Sequence, residues 1–234
     1  MALRLLQAAS PNAHTDPDAW PAYAQLLSHV LAAVGHAEAL GIDLERATWL
    51  LTDVGLYLWR RADYQQARTL LERALANREA RLGSDQLEIA QSVHGVAVVL
   101  HAQGDLDAAR ALYERALAIY EARLGADHPT IATSLNDLAT VLRDQGDLDA
   151  ARALYERALA ICEARLGADH PDTAYSLSNL ANVLRDQGDL DAARALYERA
   201  LAIREARLGA DHPDTVRSRR NLAAVVVAEL DKQR

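Results

Sequence analysis

The sequence predicts an all-α fold, a right-handed superhelix (α-solenoid) of antiparallel helical hairpins. Three observations lead to this prediction. The segment GDLDAARALYERALAI occurs at 104–119, 146–161 and 188–203, so the chain repeats with a period of 42 residues. Within each period the apolar residues are spaced as on one face of a helix. Ala, Leu, Arg and Glu dominate the 234 residues, Phe is absent, and no extended run of Val, Ile and Thr indicates a strand.

Each period is predicted to contain two helices. In the central period the first helix covers about 130–145 and the second about 148–166. Gly146 and Gly167 follow these helices at the point where a residue with a left-handed backbone ends a helix. The short connections therefore predict a helical hairpin in every period.

The tripeptide Asp-His-Pro precedes three of the predicted first helices, at 127–129, 169–171 and 211–213. Asp169 is predicted to cap its helix, and Pro171 to occupy the first turn, where its missing N–H costs nothing. Histidine and aspartate are also metal ligands, but the spacing places each copy on a different hairpin. We therefore predict no metal site here.

Small and aromatic residues recur at fixed offsets in each period. Alanines allow two helices to approach closely, and a tyrosine fills the space between hairpins. In the central period the set is Leu138, Ala139, Leu142, Gly146, Ala151, Tyr155 and Ala158. This set resembles the tetratricopeptide repeat (TPR) pattern, which HEAT and armadillo arrays of similar period do not share. The usual TPR unit has about 34 residues, and the longer unit here, with LGADHP and an extended second helix, resembles the kinesin light chain subgroup.

The TPR resemblance implies that the array has a defined extent. Four hairpins are expected across 44–213, followed by a capping helix across 214–234. In this closing copy Arg219 stands where Leu177 stood, as expected if no further hairpin covers that face. The array is therefore predicted to end near the last residue of the sequence.

The residues before the repeats, 1–43, are predicted to form a helical cap or linker, with a helix over about 18–34. The segment DPDAWPAYAQLLSHVLAAVGHAEAL resembles the segment that joins the nucleotide-binding module to the repeats in bacterial STAND (NB-ARC-type) signalling ATPases. This resemblance implies that the chain is a ligand-sensing or autoinhibitory module of a larger signalling protein.

The composition argues against several classes of function. The net charge of -8 disfavours binding to nucleic acid. No segment approaches the roughly 20 apolar residues of a membrane span, and no phosphate loop or dinucleotide fingerprint is present. The single cysteine, Cys162, fits a reducing compartment such as the cytoplasm. Because Tyr120 and Arg204 occupy its position in sister repeats, that position is predicted to be exposed and tolerant rather than nucleophilic.

The TPR resemblance places a ligand groove on the first helices of successive hairpins. The residues predicted to contact a ligand there are Trp49, His94, His101, Asn136, Arg143, Tyr175, Asn179, Asn182, Arg185, Arg217, Arg220 and Asn221. Blocks 104–145 and 146–187 differ at only seven positions, of which four lie at predicted groove positions. These pairs are Thr133 and Tyr175, Asn136 and Ser178, Asp137 and Asn179, and Thr140 and Asn182. The alternative is free drift of exposed positions, but the second helix changes at one position only.

These residues predict a scaffold that binds an extended peptide or a segment of a partner protein. Asparagine pairs with a peptide backbone through a donor and an acceptor, and arginine forks onto a carboxylate. An acidic or C-terminal end of the ligand is expected near Arg185, Arg217 and Arg220. Alternatively, the groove arginines pair with aspartates of the chain, such as Asp144 and Asp186.

Two other functions compete with peptide binding. Self-assembly into a homo-oligomer is suggested by the closing helix, whose residues 223–230 are unusually apolar. A catalytic role would rest on His94 and His101, which are seven residues apart and lack a carboxylate at catalytic spacing. We therefore predict no enzymatic activity and no cofactor.

Overall fold

The computed structural model describes residues 2–9, 20–81 and 86–232. Within these ranges the chain forms eleven α-helices and no strand. The helices are α1 Ala2–Ala9, α2 Trp20–Leu40, α3 Leu44–Arg60, α4 Tyr64–Arg81, α5 Gln86–Ala102, α6 Leu106–Leu124, α7 Pro129–Asp144, α8 Leu148–Arg165, α9 Pro171–Asp186, α10 Leu190–Leu208 and α11 Pro213–Lys232. The predicted all-helical fold of repeated hairpins is confirmed. None of the described helices is long and apolar enough to cross a membrane.

The chain divides into two compact units, Met1–Ile119 and Tyr120–Arg234, with the boundary inside α6. In the first unit α3 and α4 form a hairpin, and α2 and α5 pack against it. In the second unit α7 with α8 and α9 with α10 form successive hairpins, and α11 packs against α10. Each unit is therefore a stack of helices in which sequence neighbours are also neighbours in space.

Glycine ends the first helices α5, α7 and α9 in the predicted way, whereas Ala62, with φ 61°, stands at the same place after α3. Gly146 has φ 87°, a left-handed conformation that most other residues reach only with strain. Its N–H donates to Arg143 O at 2.9 Å, and Asp147 N–H donates to Leu142 O at 2.9 Å. These bonds satisfy carbonyls that the end of α7 leaves without an intrahelical partner.

The starts of the first helices α7, α9 and α11 differ from the prediction, because histidine and not aspartate is the N-cap. His170 has an extended backbone, and its Nδ1 accepts the N–H of Asp172 at 3.1 Å. His128 and His212 accept the equivalent N–H groups at 3.2 Å. The prediction that Asp169 caps α9 is therefore wrong. Asp169 lies one residue too early, whereas the proline does begin the helix as predicted.

The region before the hairpins contains two helices in its described part. The helix predicted over 18–34 is α2, which continues to Leu40, and residue 18 lies outside the described residues. Tyr23 of α2 is buried, and its hydroxyl donates to the buried carboxylate of Asp53 on α3. The rings of Tyr23 and Tyr57 lie 4.7 Å apart. These contacts attach α2 to the first hairpin.

The last helix has the polar face that the repeat comparison predicted. Arg219 is exposed and pairs with Glu205 at 2.7 Å, whereas its counterpart Leu177 is fully buried. On the same helix Val227 and Leu230 are 57% and 53% exposed. The end of the second unit therefore carries both a charged pair and two exposed apolar side chains.

Candidate functional site

In the first unit, the structure places three of the predicted ligand residues on first helices. Trp49 lies half-buried on α3, and His94 and His101 lie half-buried on α5. The ring of His94 packs edge-on against Tyr113, with centroids 5.1 Å apart. The two histidines are two helical turns apart on α5.

In the second unit, the other predicted ligand residues come from α7, α9 and α11. Tyr175, Arg217 and Arg220 are exposed, and most of the rest are half-buried. We use the name first-helix face of the second unit for seven accessible residues of these helices: Thr133, Asp137, Tyr175, Asn179, Arg217, Arg220 and Asn221.

Asn136 differs from the others because it is buried, with 2% of its surface exposed. Its amide donates to Ala132 O at 2.9 Å and to Ser176 Oγ at 3.0 Å, and its carbonyl accepts from Asn179 at 3.4 Å. Its counterpart Ser178 is also buried. The expectation that this pair of positions lies on the exposed surface of the groove is corrected, because both residues lie where adjacent hairpins meet.

Thr140 and Asn182, a second divergent pair, each form a hydrogen bond with a buried tyrosine. Thr140 Oγ1 and Tyr155 OH are hydrogen-bonded at 2.8 Å, and the hydroxyl of Tyr197 donates to Asn182 Oδ1. Burial raises the pKa of Tyr155 to about 12. Asn182 therefore already has a structural partner, and the divergent positions left facing outward are the pairs Thr133/Tyr175 and Asp137/Asn179.

Several arginines of the predicted groove form ion pairs with aspartates of the chain. Arg143 contacts Asp144 at 3.2 Å and Asp186 at 3.7 Å. Arg185 contacts Asp186 at 3.0 Å. For these two arginines the alternative of internal pairing is what the structure shows.

At the closing helix the arginines differ from one another. Arg217 contacts Asp214 at 2.7 Å. Arg220 is exposed and has no carboxylate partner within the described residues. The C-terminal end of the first-helix face therefore has the clearest surplus of positive charge.

The position of Cys162 is buried, and the prediction that it is exposed is wrong. Cys162 is 3% exposed, and its counterparts Tyr120 and Arg204 are each 5% exposed. At Cys162 and at Arg204 the second helix meets the first helix of its own hairpin and the first helix of the next. We call this buried contact the seam. The repeat comparison missed it because different residue types at one position usually indicate solvent exposure.

Arginine fills two of the seams. Arg204 donates to Ser178 Oγ at 2.8 Å, to Ala174 O at 3.3 Å and to Ser218 Oγ. Burial, with the nearby charge of Arg217, lowers the pKa of Arg204, while Asp214 opposes this.

Arg78 makes the same kind of contact in the first unit. It donates to Thr52 Oγ1 at 3.3 Å and to Ser92 Oγ, and its Nε lies 3.6 Å from Glu88. In both seams a guanidinium therefore joins hydroxyl groups of two successive first helices, close to a carboxylate.

The seam at Cys162 contains a cavity instead. The thiol lies 3.5 Å from Ser176 Oγ, and burial raises its pKa. A cavity of about 410 Å³ opens beside it. Its lining includes Thr133, Asn136, Asp137, Cys162, Asp172 and Tyr175. The cavity thus connects the seam to the first-helix face.

Comparison with known proteins identifies this arrangement. The model of the family described as tetratricopeptide repeat matches residues 45–122, 86–164, 130–206 and 172–233. The crystal structure of BtubC (BKLC) from P. vanneervenii is 25% identical and superposes with a TM-score of 0.74, covering 89% of this chain and 85% of that chain. No curated protein matches the chain.

Two further crystal structures are similar. A kinesin light chain-like protein with nearly identical TPR-like repeats from Podosopora anserina is 27% identical, with a TM-score of 0.67 and coverage of 78% of this chain and 87% of that chain. The apo form of RapI is 18% identical, with a TM-score of 0.68 and coverage of 86% of this chain and 54% of that chain, and shows similarity of fold alone.

Proposed function

The chain belongs to the tetratricopeptide repeat family, and on that premise we propose that it is a non-catalytic scaffold that binds an extended segment of a partner protein. TPR arrays generally mediate interactions between proteins. The binding surface that we propose is the first-helix face of the second unit. We propose separately that Trp49, His94 and His101 contact a ligand in the first unit.

One observation carries the proposal: two nearly identical hairpins differ at accessible positions of their first helices. Tyr175 replaces Thr133 and Asn179 replaces Asp137, while the second helices are identical at every accessible position. Exposed residues that drift without selection would change on both helices. The pattern therefore supports a ligand that contacts the first helices.

The side chains of this face suggest the chemistry of the partner. Tyr175 offers an aromatic surface, and the amides of Asn179 and Asn221 can bond to an extended backbone. Arg220 can bind a carboxylate of the ligand. Arg217 can also bind one, although its guanidinium already contacts Asp214. We propose that an acidic or C-terminal end of the segment lies near Arg217 and Arg220. Arg185 contributes less, because Asp186 already neutralises it.

A pull-down from the native cell extract tests the proposal. The variant Tyr175→Thr, Asn179→Asp, Arg220→Ala places the sister-repeat residues at two positions and removes the unpaired cation. The control Arg152→Ala, Arg194→Ala changes exposed residues of second helices. We expect partners that the control retains and the variant loses. Identical partners for wild type, control and variant would contradict binding on this face.

A second candidate function is self-association through α11, because Val227 and Leu230 are exposed there. Light scattering over a range of concentrations tests it, since self-association gives a mass that rises with concentration. A constant monomer mass would eliminate this candidate.

Finer predictions rest on sequence resemblance. The 42-residue period and the similarity to kinesin light chain-like structures support placement in that subgroup. A role as the sensor of a bacterial STAND-type ATPase, and a cytoplasmic location, remain proposals from the sequence alone. Binding of the chain to an ATPase module from the same cells would support the sensor role.

A further inference from the structure

The four seams follow a regular sequence rule. The residue 14 positions after the seam residue is serine in every case: Ser92, Ser134, Ser176 and Ser218. The residue 10 positions after it varies. It is acidic after both seam arginines, as Glu88 after Arg78 and Asp214 after Arg204, and it is Thr130 after Tyr120.

The seam of Cys162 departs from this rule. Ten positions later stands Asp172, the acid that accompanies arginine in the other seams, although no arginine is present. The acid and the serine are therefore retained where the cation is missing.

The geometry agrees with the sequence rule. Arg204 and Arg78 each donate to the serine of the following first helix and to a hydroxyl of their own first helix. At Cys162 the corresponding oxygens belong to Ser176 and Asn136. A cavity of about 410 Å³ lies beside Cys162 and Asn136.

Resting on the proposed function, we propose that this cavity is a pocket for an arginine side chain of the bound partner segment. The partner's guanidinium takes the place that Arg78 and Arg204 fill from within the chain. It donates to Asn136 Oδ1, and its charge is balanced by Asp172; both residues line the cavity.

The lining of the pocket favours a cation. Asp137 and Asp172 line it, and no basic residue does so among the described residues. Ser176 Oγ, behind the cavity wall, accepts from Asn136 and lies 3.5 Å from the thiol of Cys162, whereas Asn136 Oδ1 accepts a long bond of 3.4 Å from Asn179. A planar fork of N–H groups can bond to an amide oxygen and to a carboxylate at once, which the single ammonium of lysine does less well.

The first test uses N-acetyl-arginine amide as a probe on the wild-type chain. Amide chemical shifts of Asp172 and Ser176 are followed by NMR during titration. We expect saturable shifts with the arginine probe and binding at least about tenfold weaker with the citrulline amide, which has the same shape and no charge. Asp172→Asn should weaken arginine binding and leave citrulline unchanged. Equal binding of the two probes, or no saturable shift at the solubility limit, would overturn the proposal.

A matched variant closes the pocket with residues that the preceding repeat has at the same positions. Cys162→Tyr with Asp172→Thr reproduces the pair Tyr120 and Thr130 of the preceding seam, so we expect it to fold. It should abolish binding of the arginine probe, while Cys162→Ser should keep it. Retained binding in the closed variant would place the probe elsewhere and overturn the proposal.

A third measurement needs no ligand. Cys162→Arg supplies the guanidinium from within the chain and should leave the unfolding temperature unchanged or raised, although arginine at a buried position usually lowers it. Adding Asp172→Asn to this variant should lower its unfolding temperature. A large loss of stability in Cys162→Arg itself would show that the seam does not accept a guanidinium.

These outcomes separate the pocket from the proposed function. Arginine binding with an unchanged list of pull-down partners would support the pocket and contradict binding on the first-helix face. Partners that depend on Tyr175 and Asn179, without any binding of the arginine probe, would support the scaffold function and overturn the pocket.

Discussion

At the scale of single residues, the seam shows how one position can hold very different side chains and still be buried. Arg204 is a cation in the interior, and its hydrogen bonds within the described residues go to neutral oxygens. A buried charge is tolerated only when its donors are paired. Cys162 avoids this cost by being small, and it leaves a cavity instead.

Arg204→Lys is expected to lower the free energy of unfolding by about 1–3 kcal/mol, because an ammonium cannot join Ser178 and Ser218 as the guanidinium does. Urea unfolding followed by circular dichroism measures the change. Arg199→Lys, at an exposed position of the same helix, is the control and should change little. Equal midpoints for the two variants would show that the fork geometry is unimportant.

At the scale of elements, each hairpin depends on how its helices begin and on how they are joined. Three histidines cap first helices through Nδ1, each followed by a proline. Within the hairpins, a hydroxyl bond joins Tyr155 on α8 to Thr140 on α7. The histidine cap recurs in three copies, and Tyr197 on α10 makes a comparable bond to Asn182 on α9, so each small contribution is made more than once along the chain.

His170→Ala is expected to lower the free energy of unfolding by about 1 kcal/mol, the usual effect of losing an N-cap acceptor. His170→Asn should restore most of it, since asparagine is a good cap. Asp169→Ala is the decisive control. It should change the free energy of unfolding little if histidine is the cap. A loss as large as that of His170→Ala would show that Asp169 is the cap after all. Thermal unfolding of the three variants measures this.

Tyr155 makes the hairpin sensitive to alkaline pH. Burial raises the pKa of Tyr155 from 10.0 to about 12, so the unfolded chain releases this proton at a lower pH than the folded chain. The unfolded state then binds fewer protons, and stability falls as pH rises from about 10 to about 12. Tyr155→Phe should show a smaller loss over this range in urea unfolding. Parallel curves for both proteins would contradict the assignment, with Tyr64→Phe as a less buried control.

At the scale of the whole molecule, a helix face that another hairpin covers is apolar, and a face that no hairpin covers is polar. Arg219 replaces the buried Leu177 of the preceding repeat and pairs with Glu205. A charged pair at this point opposes end-to-end association, although Val227 and Leu230 remain exposed on α11.

Arg219→Leu is therefore expected to promote self-association, because it restores the residue of an internal repeat and enlarges the exposed apolar surface. Light scattering should show a mass that rises with concentration more steeply than for wild type. Arg219→Lys preserves the charge and should behave as wild type. A mass for Arg219→Leu that does not depend on concentration would show that this residue does not control association.

The candidate site could be predicted only in part from the sequence. The repeat period locates the first helices, and it assigns Tyr175, Asn179 and Arg220 to them without any structure. It could not tell which way each divergent residue turns. Asn136 bonds to Ser176, 40 positions later, and Asn182 bonds to the hydroxyl of Tyr197. Such partners are set by packing between helices, which a periodic pattern does not contain.

The sequence by itself determined the helical class, the hairpin period, the glycine helix ends and the polar closing face. These features depend on residues close along the chain, or on one repeat being compared with the next. The tertiary structure alone decided that the position of Cys162 is buried in a seam and that histidine caps α7, α9 and α11. It also decided that Arg143 and Arg185 are paired with aspartates. Burial and pairing depend on which atoms of different helices meet in space, and the same residue type can satisfy the sequence pattern in either environment.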